Sequence, residues 1–560
     1  MKKLELLAPA GSLGTLKAAV SSGADSIYLG MNKFNAREYA TNFNKNYLKE
    51  AVNICKSNNV KLYLTMNTLI KNSEIKEFFE QLKYAYEQGI DSVIIQDPGF
   101  IEIIKESFPD LHIHMSTQAG IMNSAHAALF NVNRINLARE LNEDNIESIR
   151  KNFDKEIEIF IHGALCACIS GSCLFSSLLG GRSGNRGKCA QPCRKLYNNL
   201  YLLSTKDLCL IEKIPEIIKL GIDSVKVEGR MRNPYYVATI TSIYRRAIDS
   251  YYNNKFEVTK DMKNKLESSF IRDFTKGKFS DEYIFNPNQI LKNLKVKEEM
   301  YEVNTKPIDI ERKSNLKEIE IKAKISSEKQ LIARIYNEKD ALIAENYADI
   351  IVLDLFHKNF KEIQKKLKKP VYAITPRIIF DSDLDIIKNK IQELSPKGLV
   401  AGNAGILNMN FNIPIILDYN SNCFNDLQLD FYQKLGAKPI ISQELSIRDL
   451  ENFKNKDFIL FAHGKLRLMT LAHNLSEMKL KDEKGFNFYI KKIYNGAEVL
   501  NEKELGLFTL IKNIKQVYID TENNLESILK IYRNIIDDKP VKISGLKKKY
   551  VLGWAKQGVL

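Results

Sequence analysis

No uninterrupted apolar run in the 560 residues reaches the roughly 18 that a membrane-crossing helix needs, so no bilayer-spanning helix is expected. The opening, MKKLELLAPAG, meets a Pro-Ala-Gly turn too soon to serve as a secretion signal, and a cytoplasmic location is expected. Cysteine is scarce. There are eight, and five of them fall between His162 and Cys193, in HGALCACISGSCLFSSLLGGRSGNRGKCAQPC. Thiols stay reduced in the cytosol, so structural disulfides are disfavoured and a local cluster points instead to metal or redox chemistry.

The chain is too long for one hydrophobic core and suggests two or three domains. Its net charge of +15 suits a polyanion such as RNA, although Lys and Glu interspersed along the chain also describe an ordinary solvated surface.

From Leu4 to Arg230, short apolar runs alternate with longer amphipathic ones. The strand candidates are LELLAPAG, DSIYLG, KLYLTMN, DSVIIQD, HIHMSTQ, RINLARE, IEIFIHG and SVKVEGR. Eight such units predict an α/β fold, a TIM-like (β/α) barrel over residues 1–250, with a Cys-rich insertion at 162–210. Active sites of such barrels lie at the carboxyl ends of the strands. Polar residues gather at those ends: Asn67, Gln96, Asp97, Ser116, Gln118, Arg139, Glu140, His162, Glu228 and Arg230.

Residues 251–325 read as a connector and a small accessory element, with a charged stretch at 295–317 and KEIEIKAKI as a strand. Beyond it the chain repeats itself. ARELNEDNIESIRKNFDKEIEIFIHGALC aligns with SQELSIRDLENFKNKDFILFAHGKLR, pairing Glu140 with Glu444 and His162-Gly163 with His463-Gly464. HIHMSTQ then matches PIILDYN, and DSVIIQD matches GLVAGNAG. Residues 326–560 are therefore expected to form a second, degenerate barrel-like β/α domain. Arg467 and Leu468 stand where the first half has Cys166 and Ala167, so this copy is expected to bind or shape rather than to ligate.

Within the insertion, Cys166, Cys173, Cys189 and Cys193 are spaced C-x6-C-x15-C-x3-C, with Cys168 and Cys209 as further thiols. Four thiolates suit an iron–sulfur cluster or tetrahedral zinc; the first pair is wider than a zinc knuckle, which favours the cluster. A cysteine-protease reading would place one thiolate beside His162, but a nucleophile does not need four clustered thiols.

ELLAPAG, GADSIYLG, NAR at Asn35 to Arg37, STQ at Ser116 to Gln118, ARELN, FIHGALC-x6-C, GRSGNRGKCAQPCR, LLSTKDL and VKVEGRMRNPYYV together resemble the collagenase-like peptidase family U32. The closing YVLGWAKQGVL is similar to the end of the family's longer members. The resemblance implies one of the family's hydroxylating branches, which modify a tRNA wobble uridine or a large-subunit rRNA cytidine with prephenate as hydroxyl donor. It also implies a 4Fe-4S cluster on Cys166, Cys173, Cys189 and Cys193. Under it the candidate catalytic residues are Arg37, Gln118, Arg139, Glu140, His162, Glu228 and Arg230. Arg37, Arg139 and Arg230 are the candidates for donor carboxylates, because a guanidinium fork matches them. Arg182, Asn185, Arg186 and Arg194, with Lys188, are the candidates for phosphate or cofactor contacts. The expected partner is tRNA or rRNA, with a partner protein as a further candidate. The alternatives are a U32-type peptidase and a non-catalytic iron–sulfur assembly protein. The sequence departs from the family's longer members in having no Cys-Pro pair after HGKLRLMTLAHN and in a shortened segment around 270–330.

Overall fold

A computed structural model describes residues 3–292, 299–326, 328–511, 513–541 and 550–559. The first half is built on β1 (Glu5–Pro9), β2 (Ser26–Leu29), β3 (Lys61–Met66), β4 (Ser92–Ile95), β5 (His112–Met115), β6 (Arg134–Asn136) and β7 (Glu156–Ala164). After these come β8 (Asp207–Cys209), β9 (Ser224–Val227) and β10 (Phe274–Thr275). Strands β1 to β7 pair in order, and β9 joins β7 to β1 in parallel, closing an eight-stranded barrel from the eight runs read in the sequence. Strand β8 belongs to the insertion and pairs antiparallel with the end of β7.

The period-two pattern of β7 shows how the barrel fills. Ile157, Ile159 and Ile161 join the outer core beneath the helices, whereas Glu158 and Phe160 point inwards. Inside, Leu7, Tyr28, Tyr63 and Ile94 form a small apolar cluster of their own. Beside it lies an ionic cluster centred on Arg134, the largest fully buried side chain among the described residues. Arg134 Nη1 donates to Glu5 Oε1 at 2.7 Å and to Glu158 Oε2 at 3.2 Å, Nη2 donates to Glu5 Oε2 at 3.1 Å, and Nε donates to Glu156 Oε2 at 2.9 Å.

The second half repeats the plan. Strands β11 (Gln330–Arg334), β12 (Ile350–Asp354), β13 (Val371–Ile374), β14 (Gly398–Ala401), β15 (Ile415–Leu417) and β16 (Ala437–Pro439) pair in parallel. They are followed by β17 (Leu460–Leu471), β18 (Met478–Lys481), β19 (Asn487–Ile493), β20 (Gly496–Gly506) and β21 (Gln516–Asp520). Strand β21 lies between β11 and β17 as β9 lies between β1 and β7. Among the described residues the backbone closes the curl between β16 and β17 through Ile459 N–H to Pro439 O and Ile441 N–H to Ile459 O, both 3.0 Å. Strands β18 to β20 form an antiparallel ribbon on β17.

The two barrels meet mouth to mouth. Asn425 Nδ2 donates to Asp97 Oδ2 at 2.5 Å and to Ile70 O at 2.9 Å, while Ser124 N–H and Oγ reach Asp381 Oδ1 at 2.6 and 2.9 Å. Gly99 lies so close to this seam that a Cβ there would meet the Leu427 backbone at 2.4 Å. Asp97, a strand-end candidate, is thus a cross-barrel contact, and burial pushes its carboxyl up to about 6.

One expectation is corrected. KEIEIKAKI is not a strand; it makes one isolated bridge, Lys324 to Asn455, because the connector runs as an extended strap along the first barrel. Along that strap Lys306 N–H reaches Ser57 Oγ at 2.9 Å and Arg312 Nη1 reaches Ile90 O at 2.7 Å. Part of the charged stretch, 293–298, lies outside the described residues. Among those described, no helix is long and apolar enough to cross a membrane.

Replacing Arg134 by Met takes the buried cation from Glu5 and leaves Glu158 with Lys226 alone, and is expected to cost about 3–5 kcal/mol of stability, read from denaturant midpoints. Burial pushes the Glu5 carboxyl up, but hydrogen bonds and charge from Arg134 outweigh that and lower it from 4.5 to about 2. Its contribution is therefore full above pH 4.5 and is lost as the pH falls towards 2, so acid should lower the wild-type midpoint more than that of R134M.

Candidate active site at the barrel mouth

Between the barrel mouth and the insertion lies one cavity of about 590 Å³. Cys166, Cys168, Cys173, Cys189 and Cys193 line it, together with Arg37, Gln118, Arg139, Glu228 and Arg230 from the strand ends. The insertion adds Arg182, Asn185 and Arg194, and the second barrel adds Met469.

The second barrel also holds the insertion in place. Ile169 N–H donates to Thr470 O at 3.0 Å and Leu174 N–H to Leu468 O at 2.8 Å, so residues 169–174 lie along the edge of β17. Thr470 N–H points at Cys168 Sγ at 3.3 Å. Glu444, the repeat counterpart of Glu140, is buried and accepts from Ser183 Oγ at 3.0 Å and Asn185 Nδ2 at 3.1 Å. Burial pushes its carboxyl up despite those bonds. On the far side the ribbon packs Phe488 against Phe175 and Tyr197.

Backbone amides support two of the thiols. Backbone N–H groups of Phe175 and Ser176 bond Cys173, and Gln191 N–H reaches Cys189 Sγ at 3.3 Å. Burial pushes the Cys189 thiol up to about 11 and Cys193 to about 12. Cys168 is buried and interacts directly with Cys173. Among the described residues no three His, Cys, Asp or Glu side chains gather around a single-ion site.

The cavity carries eight cationic side chains, adding Lys226, Arg232 and Arg272 to those named, against one carboxylate, Glu228. Glu228 is committed to Arg37 at 3.1 Å; although burial pushes its carboxyl up, the neighbouring guanidiniums bring it below the ordinary value. Arg230 donates to Asn35, Thr65 and Asn42, and burial lowers its guanidinium to about 10. Arg139 lies 4.1 Å over the Phe160 ring, donates Nη1 to Ala164 O at 2.7 Å and keeps Nε without a partner. Arg194 bonds Leu165 O at 2.9 Å, and Arg182 lies 4.8 Å over Tyr39. Among the described residues no carboxylate ion-pairs with Arg139, Arg182, Arg194, Arg230 or Arg232.

Four of the catalytic and phosphate candidates do not line the cavity; one of them, Lys188, lies 3.5 Å from Glu38 instead. At His162 the pairing of β7 with β9 slips by one residue, and this bulge turns the imidazole outwards against Tyr244, Phe270 and Phe274. Nδ1 stands 3.1 Å from Tyr244 Oη, and burial pushes the ring down to about 3, so it is neutral. Glu140 shares a turn with Arg139 and faces away from the cavity; its carboxylate is bonded by the backbone N–H groups of both residues, and burial pushes it up to about 7. Arg186 leaves the cavity to bind Glu74 through both Nη atoms, at 2.9 and 2.7 Å. Sequence reasoning missed Tyr28, Asn136, Phe160 and Lys226 at the cavity floor. The signal for Lys226 was present, a charge at an inward position of the strand SVKV.

Fold and site thus define a (β/α)8-barrel protein with a thiol-lined, cation-rich cavity at its mouth. Residues 11–311 match Peptidase family U32, and the chain belongs to that family. It is 38% identical over 300 residues to an uncharacterized protease of Methanocaldococcus jannaschii, covering 50% of this chain and 73% of that protein. It is 36% identical over 294 residues to tRNA hydroxylation protein P1 of Bacillus subtilis, covering 49% and 70%. A 23S rRNA 5-hydroxycytidine synthase of Escherichia coli is 34% identical over 283 residues, covering 48% and 43%.

Glu444→Ala should release the GRSGNRG loop, seen as faster tryptic cleavage after Arg182 and Arg186 and faster amide exchange at 183–187, whereas Glu444→Gln, still an acceptor, should remain close to wild type.

Proposed function

We propose that this protein is an RNA hydroxylase that places a hydroxyl group on an unpaired pyrimidine, with the tRNA wobble uridine as favoured target and an rRNA cytidine as the second. The observation that carries this reading is the single cavity in which a thiol wall faces a cationic wall with one carboxylate. Relatives named for tRNA and rRNA hydroxylation support it.

Cys166, Cys173, Cys189 and Cys193 would hold a 4Fe-4S cluster, for which the backbone N–H groups aimed at Cys173 and Cys189 speak. Bound there, such a cluster supplies one-electron chemistry or polarises an oxygen donor. Arg139, with Nε free, and Arg230, also free at Nε, suit the carboxylates of a prephenate-like donor; Arg37 is largely neutralised by Glu228. Arg182 and Arg194, on the insertion, suit RNA phosphates. The target base has to be unpaired or flipped to enter.

A cysteine-peptidase mechanism requires an imidazole beside a thiol, and among the described residues no histidine lines this cavity.

Nucleosides from tRNA and rRNA of a deletion strain, compared by mass spectrometry with strains complemented by wild type or C166A, test the reading. One hydroxylated pyrimidine should vanish and return only with wild type, and anaerobically purified C166A should lose the brown iron–sulfur absorbance. An unchanged nucleoside profile would refute RNA hydroxylation and move peptide hydrolysis to the front.

A further inference from the structure

At the floor of the cavity, Asn136 on β6 and Lys226 on β9 donate to the same oxygen. Asn136 Nδ2 lies 2.7 Å and Lys226 Nζ 2.9 Å from Glu158 Oε1, so the two groups are neighbours. They are 2% and 4% exposed, and both line the cavity. The bond to Glu158 orients the Asn136 amide, because a carboxylate accepts only from its NH2 end. Oδ1 is thereby turned away from Glu158, buried and without a partner. The Tyr28 ring lies 4.4 Å and the Phe160 ring 5.5 Å from Lys226 Nζ, making apolar walls around the pair.

A buried acceptor without a donor is costly, and a ligand that supplies the donor relieves that cost. The floor therefore offers one acceptor, Oδ1, beside one donor, Nζ, between aromatic walls. A carboxylate would satisfy Nζ but press its charge against the Oδ1 lone pairs. A phosphate would do the same, and Lys226 is already balanced by Glu158. The fitting ligand is a planar ring edge with an N–H next to an acceptor, the pattern on the Watson–Crick edge of uracil (N3–H beside O4) and of cytosine (N4–H beside N3).

We propose that Asn136 and Lys226 form the base-reading subsite of the cavity, Oδ1 accepting the pyrimidine's N–H and Nζ donating to the adjacent acceptor. The subsite rests on the RNA-hydroxylase reading and adds to it the edge that is read and the side chains that read it. Held by this edge, the base keeps C5 clear of both contacts. Glu158 acts as a positioning residue, fixing the amide and the ammonium from below.

The probes are UMP and CMP, each against a methylated partner that lacks the N–H, N3-methyl-UMP and N4,N4-dimethyl-CMP. Calorimetric titration uses the full-length protein purified anaerobically with its iron. In wild type, one parent nucleotide should bind at least about tenfold tighter than its methylated partner, as loss of a buried hydrogen bond predicts. Asn136→Ala should shrink that ratio to within about twofold. UMP as the discriminated parent assigns uracil, and CMP assigns cytosine; either supports the subsite. Equal binding of both parent and methylated nucleotides, or no binding by wild type, overturns it. The wild-type ratios decide even if Asn136→Ala fails to fold. Should the deletion strain lose a hydroxylated nucleoside while the ratios stay near one, the subsite fails and hydroxylation stands.

Discussion

Arg134 has to be paired for the first barrel to exist in its present form. A guanidinium buried to this degree is tolerated only because Glu5, Glu156 and Glu158 close around it, from β1 and from β7, which adjoins β6. Small barrels are commonly filled with branched apolar residues, whereas here the lower interior is an ionic lattice and only Leu7, Tyr28, Tyr63 and Ile94 form an apolar plug. The consequence reaches upwards. Glu158 gives Oε2 to Arg134 and Oε1 to Asn136 and Lys226, so the residues that face the cavity floor are oriented by the same carboxylate that neutralises the core.

The second barrel copies this architecture without its chemistry. In both halves a His-Gly pair lies on the seventh strand, a pairing slip turns the imidazole outwards, and a tyrosine from the last barrel helix bonds the strand just before it: Tyr244 Oη donates to Ile161 O at 3.1 Å, and Tyr532 Oη to Ala462 O at 2.7 Å. Because the copy without the thiols keeps this arrangement, His162 belongs to the barrel's framework rather than to the sulfur site. The same comparison accounts for the glutamates. Glu140 is bound by its own turn, while Glu444 has become an anchor for the partner barrel's cysteine loop. The second barrel thus reaches over the cavity, with β17 hydrogen-bonded to the thiol segment and Met469 in the cavity wall.

Much of this was legible in the sequence. The eight strand runs and the insertion between the seventh and the closing strand follow from hydrophobic periodicity and the second β/α domain from aligned segments of the two halves, and the structure has a closed eight-stranded barrel followed by a second curled sheet. The strand-end rule placed Gln118, Arg139, Glu228 and Arg230, and the family resemblance Arg37, on one cavity with the thiols. It failed at His162 because alternation along a strand assumes an unbroken ladder, and a one-residue slip inverts the face. It failed at Glu140 because neighbouring residues in a turn diverge, and the phosphate candidate Arg186 left the cavity because its long side chain goes to a carboxylate, Glu74. The floor was missed for the opposite reason: attention to strand ends overlooked Asn136 and Lys226 one turn of the pleat lower.

The electrostatics of the cavity bear on what can occupy it. Of its eight cations, Lys226, Arg37 and Arg272 are matched by Glu158, Glu228 and Asp207, which leaves five guanidiniums unmatched by any carboxylate pairing among the described residues. Guanidiniums hold their charge at any physiological pH, so this excess cannot be relieved by releasing protons and must be met by anions or water. The excess also lies above the floor, at Arg139, Arg182, Arg194, Arg230 and Arg232, whereas the floor itself is balanced by Glu158. A ligand that is anionic at its outer end and neutral, planar and hydrogen-bonding at its inner end satisfies both levels at once, and a nucleotide within an RNA chain has that polarity.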